Sequence, residues 1–329
     1  MIPSREHIER AYATTRTATQ YTPLIESTAL AAQVGAGRVF VKPESLQWAG
    51  SFKARGAYWR LTLLTPEERR RGVVAYSSGN FAQGLAAAGQ SLGIPVTIVM
   101  PVDVPAAKQG ATRGYGATVV LTEHGDRARE EVASAKAREI AREQDLALLH
   151  PFDDPEIVAG QAGCGLETLD QLGRIGASPQ LVLCPVGGGG LIGGIALAFH
   201  YRSPAAKVVA VEPEGFDGMG RSLAAGAIET VPLGAASICD GLMARRPGDA
   251  PFAAVTHAGV SATTVSDAAV RRAMKFAFER LKLVLEPSGA AALGALLDGK
   301  VDAAGKTVVV IATGGNVSLS DYMRHVADA

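Results

Sequence analysis

Lys53 is the residue whose neighbours best suit it to act as a nucleophile. It lies in the run GSFKARGA at residues 50–57. A neutral lysine amine forms an imine with an aldehyde, and burial beside an apolar ring such as Phe52 favours the neutral form. An isolated lysine is usually a solvated helix residue, so the interpretation depends on what other segments of the chain supply.

A run of four glycines, Gly187, Gly188, Gly189 and Gly190, follows an apolar segment and precedes a helical pattern. Backbone N–H groups in such a loop can converge on a phosphate, and the partial positive charge of the helix N-terminus adds to the attraction. Dinucleotide-binding folds use a similar loop, and Glu212 ends the next strand at a compatible spacing. The loop therefore predicts a phosphate site without saying which ligand carries the phosphate.

Two further polar segments begin where apolar runs end. The first is a candidate substrate-binding loop made of Ser77, Ser78, Gly79, Asn80 and Phe81. Serine hydroxyls and free N–H groups at a helix start suit an α-carboxylate, and Asn80 can hydrogen-bond a ring hydroxyl. In the second segment, Thr313 offers a neutral hydroxyl to a pyridine nitrogen. Together with an amine and a phosphate cradle, these groups supply most of what is needed to hold pyridoxal phosphate.

Parallel strands are needed to position these loops, and the sequence predicts such strands. Short β-branched runs, each continuously apolar as in a sheet covered on both faces, alternate with helical patterns. The predicted strands cover 39–42, 73–76, 96–100, 117–121, 181–185, 208–212 and 307–311. The predicted helices include 81–92, 126–145, 155–172 and 267–282. This alternation predicts an α/β fold with open, mostly parallel sheets.

The helix predicted over 267–282 carries the clearest apolar stripe. Ser266 can cap its start, and apolar residues recur at the spacing of one helical face. The stripe consists of Val270, Ala273, Met274, Ala277, Phe278 and Leu281. We interpret this stripe as core packing.

Composition excludes several classes of function. At 329 residues the chain fits two domains of ordinary size. Lys plus Arg and Asp plus Glu number 32 each, so no net charge points to nucleic acid or an anionic membrane. No stretch has the length and apolarity of a bilayer span or a signal peptide. Three distant cysteines without a CxxC pair predict reduced thiols in a cytoplasmic protein.

Taken in order, the motifs resemble those of fold-type II pyridoxal-phosphate enzymes, in the branch of threonine/serine dehydratases and serine racemases. They span nearly the whole chain: TPL at 22–24, KPE at 42–44, SFKARGA at 51–57, SSGNFAQG at 77–84, RGYGA at 113–117, HPFDDP at 150–155, the four glycines, VEP at 211–213, DG at 240–241, EPSGA at 286–290 and TGGN at 313–316. The resemblance implies two open, mostly parallel sheet domains, similar to the β subunit of tryptophan synthase, with the cofactor in the cleft between them. It assigns residues 1–71 and 147–329 to a large cofactor-binding domain and 72–146 to a small one.

The same resemblance implies roles for individual residues. Lys53 would carry the cofactor and then act as the base that moves the α-proton, and Ser78 matches the second catalytic residue of serine racemases. The phosphate would lie in the glycine loop, and Thr313 would face the ring nitrogen. The residues implied to bind the cofactor are Phe52, Lys53, Asn80, Gly187, Gly188, Gly189, Gly190, Gly241, Glu286 and Thr313.

Three segments depart from the pattern of the family. Phe81 replaces a histidine, which affects the recognition and size of the substrate. The sequence GQAG at 160–163 replaces the more usual GQGT. Residues 212–218 resemble a loop that binds a divalent cation, Mg or Ca, with Glu212 as a candidate ligand and Gly218 where an aspartate is expected.

The resemblance implies an ammonia-lyase that removes water from a 3-hydroxy amino acid, L-threonine or L-serine, to give a 2-oxo acid and ammonia. A neutral side chain at Thr313 leaves the ring nitrogen unprotonated, which favours elimination over transamination. Because Phe81 adds apolar bulk, 3-phenylserine, hydroxyaspartate and hydroxylated diaminobutyrate also remain candidate substrates. We expect a homodimer or higher homo-oligomer acting on a small amino acid, with no nucleic-acid or membrane partner.

Two alternatives remain open. The first is a racemase acting on serine or a related amino acid, because Ser78 could supply a proton on the face opposite Lys53. The second is a nicotinamide-binding oxidoreductase, or a catalytically silent binding module, built on the same sheets. Colour separates these classes, because a lysine-bound pyridoxal phosphate absorbs visible light and a nicotinamide protein does not.

Overall fold

The described residues form two sheets that are parallel except for one short edge strand. The computed structural model describes the chain except for Asp126, Ala128, Asp328, Ala329 and the side chain of Glu130. The strands are β1 (Ile25–Glu26), β2 (Arg38–Pro43), β3 (Val73–Tyr76), β4 (Val96–Pro101), β5 (Thr118–Thr122), β6 (Ala147–Leu149), β7 (Leu181–Pro185), β8 (Lys207–Pro213), β9 (Ser261–Val265) and β10 (Thr307–Ala312).

The larger sheet has the strand order β1-β2-β10-β7-β8-β9. Only β1 runs antiparallel to its neighbour, and the last strand, β10, lies between β2 and β7. Val308, Val309 and Val310 of β10 are fully buried, as expected for a strand covered on both faces. The carboxyl ends of these parallel strands share one edge, so the loops after β7 and β10 emerge side by side.

The smaller sheet has the order β5-β4-β3-β6 and is parallel throughout. It is built from one stretch of chain between Val73 and Leu149, whereas the larger sheet takes strands from both sides of that stretch. The domain boundary predicted at residue 147 falls at the start of β6, which pairs with the smaller sheet. The division into domains stays a prediction.

Helices cover the faces of both sheets. They are α1 (Arg5–Thr15), α2 (Thr28–Val34), α3 (Lys53–Thr62), α4 (Pro66–Arg71), α5 (Asn80–Leu92), α6 (Ala106–Gly114), α7 (Arg129–Glu143), α8 (Pro155–Arg174), α9 (Gly190–Arg202), α10 (Gly218–Ala225), α11 (Asp249–His257), α12 (Asp267–Phe276), α13 (Pro287–Leu297) and α14 (Leu319–Ala327). Helix α3 packs against both α5 and α8, so it lies where the two sheets meet. None of the described helices is both long and apolar enough to cross a membrane.

The predicted α/β fold with mostly parallel sheets is confirmed, and each predicted strand is present within two residues of its expected bounds. Strands β1, β6 and β9 were not predicted. The helix predicted over 126–145 is α7, and its expected start at Asp126 lies outside the described residues. Cys164, Cys184 and Cys239 are buried free thiols, as expected.

The helix predicted over 267–282 is partly wrong. Helix α12 ends at Phe276, and one π-helical turn, Ala277–Leu281, follows it. Phe278 lies in this turn and is 54% exposed, so it does not belong to the buried stripe. The first part of the stripe, from Val270 to Ala277, is buried as predicted.

A buried group of four charges holds the first turn of α3. The Arg55 guanidinium donates to both carboxylate oxygens of Glu44, at 2.7 and 2.8 Å, and to both of Glu167, at 3.1 and 2.9 Å. Lys42 Nζ donates to Glu167 at 2.6 Å and to the Thr22 carbonyl at 2.8 Å. Two positive and two negative charges balance, as burial requires. The group joins β2, α3 and α8 at a point two residues from Lys53.

Candidate active site

Lys53 is the first residue of α3, and its side chain points to the segment that follows β6. Nζ donates to the Pro151 carbonyl at 2.9 Å. It lies 5.1 Å from the ring centroid of Phe52 and 5.7 Å from that of Phe81. Removal from water between these rings lowers the pKa of the Lys53 amine to about 8. A larger share of neutral, nucleophilic amine is therefore available than for an exposed lysine.

Two close helix contacts fix the backbone of this lysine. A Cβ atom at Gly84 of α5 would lie 3.0 Å from the Lys53 carbonyl carbon. On the other side of α3, a Cβ atom at Gly160 of α8 would lie 2.7 Å from the Cα atom of Gly56. Both glycines allow an approach that a larger residue would prevent. The local sequence thus places Lys53 between the two sheets.

Thr313 directly follows β10, and its backbone pairs with the lysine segment. The Phe52 N–H donates to the Thr313 carbonyl at 3.2 Å, and the Thr313 N–H donates to the Gly289 carbonyl at 3.3 Å. The Thr313 hydroxyl is buried, with a long hydrogen bond of 3.4 Å to the Ser288 carbonyl. Phe52, Lys53 and Thr313, separated widely in sequence, are therefore neighbours.

Asn80 and Glu286 also meet. Asn80 Nδ2 donates to Glu286 Oε1 at 2.6 Å, and Asn316 Nδ2 donates to Asn80 Oδ1 at 2.8 Å. Burial, together with the negative charge of Asp240, raises the pKa of the Glu286 carboxyl to about 7, against the lowering effect of the Asn80 hydrogen bond. Asp240 itself pairs with Lys108 of α6 at 2.6 Å.

The four glycines lie between β7 and α9, as the sequence predicts, with Gly190 as the first helical residue. Gly189 has φ of +98°, a conformation that favours glycine. A Cβ atom at Gly188 would lie 2.4 Å from ring atoms of Phe152, and one at Gly187 would lie 3.0 Å from the Gly241 carbonyl oxygen. Within the described part of the chain, no backbone carbonyl accepts a hydrogen bond from the N–H groups of Gly187, Gly188 or Gly189.

The loop between β3 and α5 holds the predicted substrate-binding residues. The Gly79 N–H donates to the Ser77 hydroxyl at 3.3 Å, and space is open beside the Gly79 Cα atom. Ser78 is half-buried in the same loop, and among the described residues no hydrogen bond joins it to Lys53. Phe81 is 2% exposed and belongs to the apolar core on the smaller sheet, so it reaches the site through its ring contact with the Lys53 amine.

Two residues of the site were not predicted as functional. His150 follows β6, and its Nε2 lies 3.1 Å from the hydroxyl of Tyr76, the last residue of β3. Burial lowers the pKa of His150, and the nearby charge of Lys53 lowers it further. Both residues occupy carboxyl ends of parallel strands, which is where such folds bind ligands. For Tyr76 this position was a signal in the sequence, because the strand over 73–76 was predicted, whereas for His150 it was not, because β6 was not predicted.

Glu212 has a different environment from the one the sequence suggested. Its two carboxylate oxygens accept the N–H groups of Met219, at 2.7 Å, and Gly220, at 2.8 Å, in the first turn of α10. Burial raises the pKa of this carboxyl to about 7. Among the described residues, no group of three His, Cys, Asp or Glu side chains could hold a metal ion. The structure therefore does not support the cation expected at Glu212.

The remaining residues fit pyridoxal phosphate. The glycine loop has N–H groups free of backbone partners and packs so closely that side chains would obstruct it. The Lys53 amine has a lowered pKa, and the buried hydroxyl of Ser51, two residues earlier in the chain, finds no partner in the described residues. A phosphate, an aldehyde and a polar ring edge would satisfy such donors.

Comparison with known proteins agrees with this chemistry. Residues 15–314 match the sequence profile of the pyridoxal-phosphate dependent enzyme family. The catabolic L-threonine dehydratase of Staphylococcus aureus is 38% identical over 97% of this chain and 90% of its own length. The L-threonine ammonia-lyase of Thermotoga maritima is 39% identical over 96% of this chain and 76% of its own.

Solved structures are similar over nearly the full length. The T.th. threonine deaminase superposes with a TM-score of 0.89, at 40% identity, covering 96% of this chain and 99% of the other. Maize serine racemase gives a TM-score of 0.91, at 33% identity, covering 99% of this chain and 98% of the other. With the profile match and the shared architecture, the chain belongs to the pyridoxal-phosphate dependent enzyme family, in its fold-type II group.

Proposed function

We propose that this protein is an ammonia-lyase that converts L-threonine or L-serine to a 2-oxo acid and ammonia by eliminating the β-hydroxyl group. The observation that carries the proposal is the position of Lys53. Its amine, with a pKa of about 8, lies between the rings of Phe52 and Phe81 at the junction of the two sheets. Relatives named as an L-threonine dehydratase and an L-threonine ammonia-lyase, 38% and 39% identical over almost the whole chain, support the choice of reaction.

When bound, pyridoxal phosphate supplies an electron sink for the pair released when the α-proton of the substrate is removed. The N–H groups of Gly187, Gly188 and Gly189 would hold the phosphate, and Thr313 would face the ring nitrogen. Because Thr313 is neutral, it does not hold a positive charge on that nitrogen, which favours elimination over transamination. Asn80 lies beside Glu286 at the ring-hydroxyl side of the proposed site.

The loop between β3 and α5 would bind the substrate α-carboxylate through Ser77, Ser78 and the N–H groups of the first turn of α5. The Lys53 amine, held at 2.9 Å from the Pro151 carbonyl, would take the α-proton. The resulting ammonium can then deliver a proton to the departing hydroxyl, so that water leaves. Hydrolysis of the released enamine gives the 2-oxo acid and ammonia.

A panel of 3-hydroxy amino acids tests the proposal. The panel contains L-threonine, L-serine, 3-phenylserine, hydroxyaspartate and hydroxylated diaminobutyrate, and 2-oxo-acid formation is measured with each. We expect the largest kcat/KM with L-threonine or L-serine. A protein that lacks the visible absorbance of a lysine-bound cofactor, or that forms no 2-oxo acid from any member, would contradict the proposal. Lys53→Ala should abolish both the absorbance and the turnover.

Racemisation is the second candidate, because maize serine racemase superposes on almost the entire chain. It requires a proton donor opposite Lys53, and Ser78 is the candidate. L-Serine in deuterated water would then give deuterium-labelled D-serine, and Ser78→Ala would abolish that product while sparing pyruvate formation. We expect pyruvate to form faster than D-serine. The reverse order would make racemisation the main activity.

Two expectations about the protein in the cell stay predictions. They are a cytoplasmic location and assembly into a homodimer or higher homo-oligomer. Light scattering coupled to size exclusion would test the assembly.

A further inference from the structure

Each ring nitrogen of His150 has a hydrogen-bond partner. Nδ1 lies 2.8 Å from the Asp153 N–H and 3.4 Å from the Phe152 N–H, and backbone amides can only donate. Nδ1 is therefore an acceptor, and the ring proton resides on Nε2, which faces the Tyr76 hydroxyl at 3.1 Å. The imidazole is neutral in this arrangement.

These bonds shape the turn at residues 150–153. The turn presents the Pro151 carbonyl to the Lys53 amine at 2.9 Å. It also directs the Phe152 ring onto the glycine loop, where a Cβ atom at Gly188 would touch the ring at 2.4 Å. The Phe152 ring meets His150 edge-on, with centroids 4.7 Å apart. One imidazole thus organises contacts to both the amine and the phosphate loop.

We propose that His150 is a positioning residue for the cofactor site, acting through the acceptor lone pair of Nδ1. This inference rests on the proposed function, since the site it organises is that of pyridoxal phosphate. His150 contacts the turn and Tyr76, and the turn contacts Lys53 and the glycine loop. Loss of the Nδ1 acceptor releases the turn and weakens cofactor binding.

Protonation has the same effect as losing the acceptor, because a proton on Nδ1 would face the N–H groups of Asp153 and Phe152. The charged groups around the ring are Lys53 of α3, Arg138 of α7, and Asp153 and Asp154 before α8. Burial and the two cations lower the pKa of His150 below its ordinary value of about 6.5, against the two carboxylates. The ring stays neutral at neutral pH, and the turn is released only in acid.

Two variants that carry the same amide group distinguish the roles of the two ring nitrogens of His150. The side-chain oxygen in His150→Asn replaces Nδ1 as an acceptor, and the longer side chain in His150→Gln instead reaches towards the Nε2 position. Neither amide titrates. Cofactor dissociation constants are measured by absorbance at about pH 5 and about pH 8 for both variants and the native protein, and thermal melts check folding.

We expect His150→Asn to bind the cofactor within about threefold of the native protein near pH 8, and His150→Gln to bind it about tenfold more weakly. Because the Lys53 amine and the cofactor phosphate also titrate, the dissociation constants of the variants are compared with that of the native protein at the same pH. The native protein should lose more affinity in acid than His150→Asn does. Equal pH profiles, or rescue by Gln and not by Asn, would overturn the proposal.

Hydrogen exchange of the native protein gives a test that needs no variant. The amide of Asp153 should be protected near pH 8 and should lose protection, relative to its intrinsic exchange rate, as the pH falls through the His150 titration. Constant protection would refute the role of Nδ1. If the native protein binds no cofactor at all, the proposed function fails instead, so the two failures are distinct.

Discussion

The side-chain amide of Asn80 donates to Glu286 Oε1 across 2.6 Å and so joins the first residue of α5 to the residue that precedes α13. Helix α5 belongs to the core of the smaller sheet, and α13 packs on β10 of the larger one. Asn80 and Glu286 are both among the residues predicted to bind the cofactor. Their contact makes the relative placement of the two sheets part of the site's geometry.

Glu286→Gln should change how stability depends on pH. Burial raises the Glu286 pKa from 4.5 to about 7, so the native carboxyl resists ionisation. The native protein therefore loses unfolding free energy as the pH rises from about 4.5 to about 7, because the carboxyl ionises more readily in the unfolded chain. A glutamine still accepts the hydrogen bond from Asn80 but does not ionise, so the variant does not lose this stability. Relative to the native protein, the unfolding free energy of the variant should rise by about 3 kcal/mol over that range.

Urea unfolding of the cofactor-free protein near pH 5 and near pH 8 measures this difference. Glu67→Gln, which changes an exposed carboxylate on α4, is the matched control and should show no such rise. If the unfolding free energies of Glu286→Gln and the native protein differ by the same amount at both pH values, the surroundings of Glu286 do not hold it uncharged.

Gly188→Val should weaken cofactor binding, because its side chain would collide with the Phe152 ring. The displaced loop would no longer direct its N–H groups at the phosphate, and we expect the dissociation constant to rise by at least about tenfold. Gly173→Val, at an exposed position with open space, is the control. An unchanged dissociation constant in Gly188→Val, measured by absorbance, would argue against a phosphate cradle in this loop.

Thr313→Asp should shift the products from elimination towards transamination. A carboxylate beside the ring nitrogen would favour its protonated form, which strengthens the electron sink and prolongs the carbanionic state. Thr313→Ser keeps a neutral hydroxyl and should retain the native product ratio. Products are separated by chromatography after reaction with L-threonine. The same ratio in both variants would place Thr313 away from the nitrogen.

Arg55→Leu should destabilise the fold strongly. It leaves the carboxylates of Glu44 and Glu167 buried without their shared partner, which costs about 3–5 kcal/mol in comparable cases. Arg70→Leu breaks an exposed ion pair with Glu67 and should change the unfolding free energy by less than about 1 kcal/mol. Chemical unfolding of both variants gives the comparison, and similar losses would mean that the buried group is not essential.

Buried parallel strands were predictable because two covered faces require a continuous apolar run. The strands that escaped prediction have weaker patterns. Strand β9 (Ser261–Val265) is a half-exposed edge strand with only two apolar residues in five, and β1 and β6 have only two and three residues. Pairing in the sheet, rather than their own composition, makes these segments extended.

Candidate site residues could be proposed from the sequence where the chemistry depends on residue type, as with Lys53 and the four glycines. The proposed role of His150 could not, because it depends on a turn whose Pro151 carbonyl meets the Lys53 amine, 98 residues away in the sequence. Glu212 shows the opposite case, since a carboxylate at the end of a strand fits either a cation or a helix N-terminus. Only the positions of the Met219 and Gly220 N–H groups distinguish these uses.

The strand order of the larger sheet also sets the order in which the protein can mature during synthesis. Residues 73–149 complete the smaller sheet from one continuous stretch, so its pairing requires no later part of the chain. Strands β2 and β7, in contrast, share no partner until β10 is inserted between them. During synthesis the strands of the smaller sheet are therefore all present before the larger sheet has all of its strands, and Thr313 is the last of the proposed cofactor ligands to be made. The proposed cofactor site can therefore be completed only after nearly the whole chain has been synthesised.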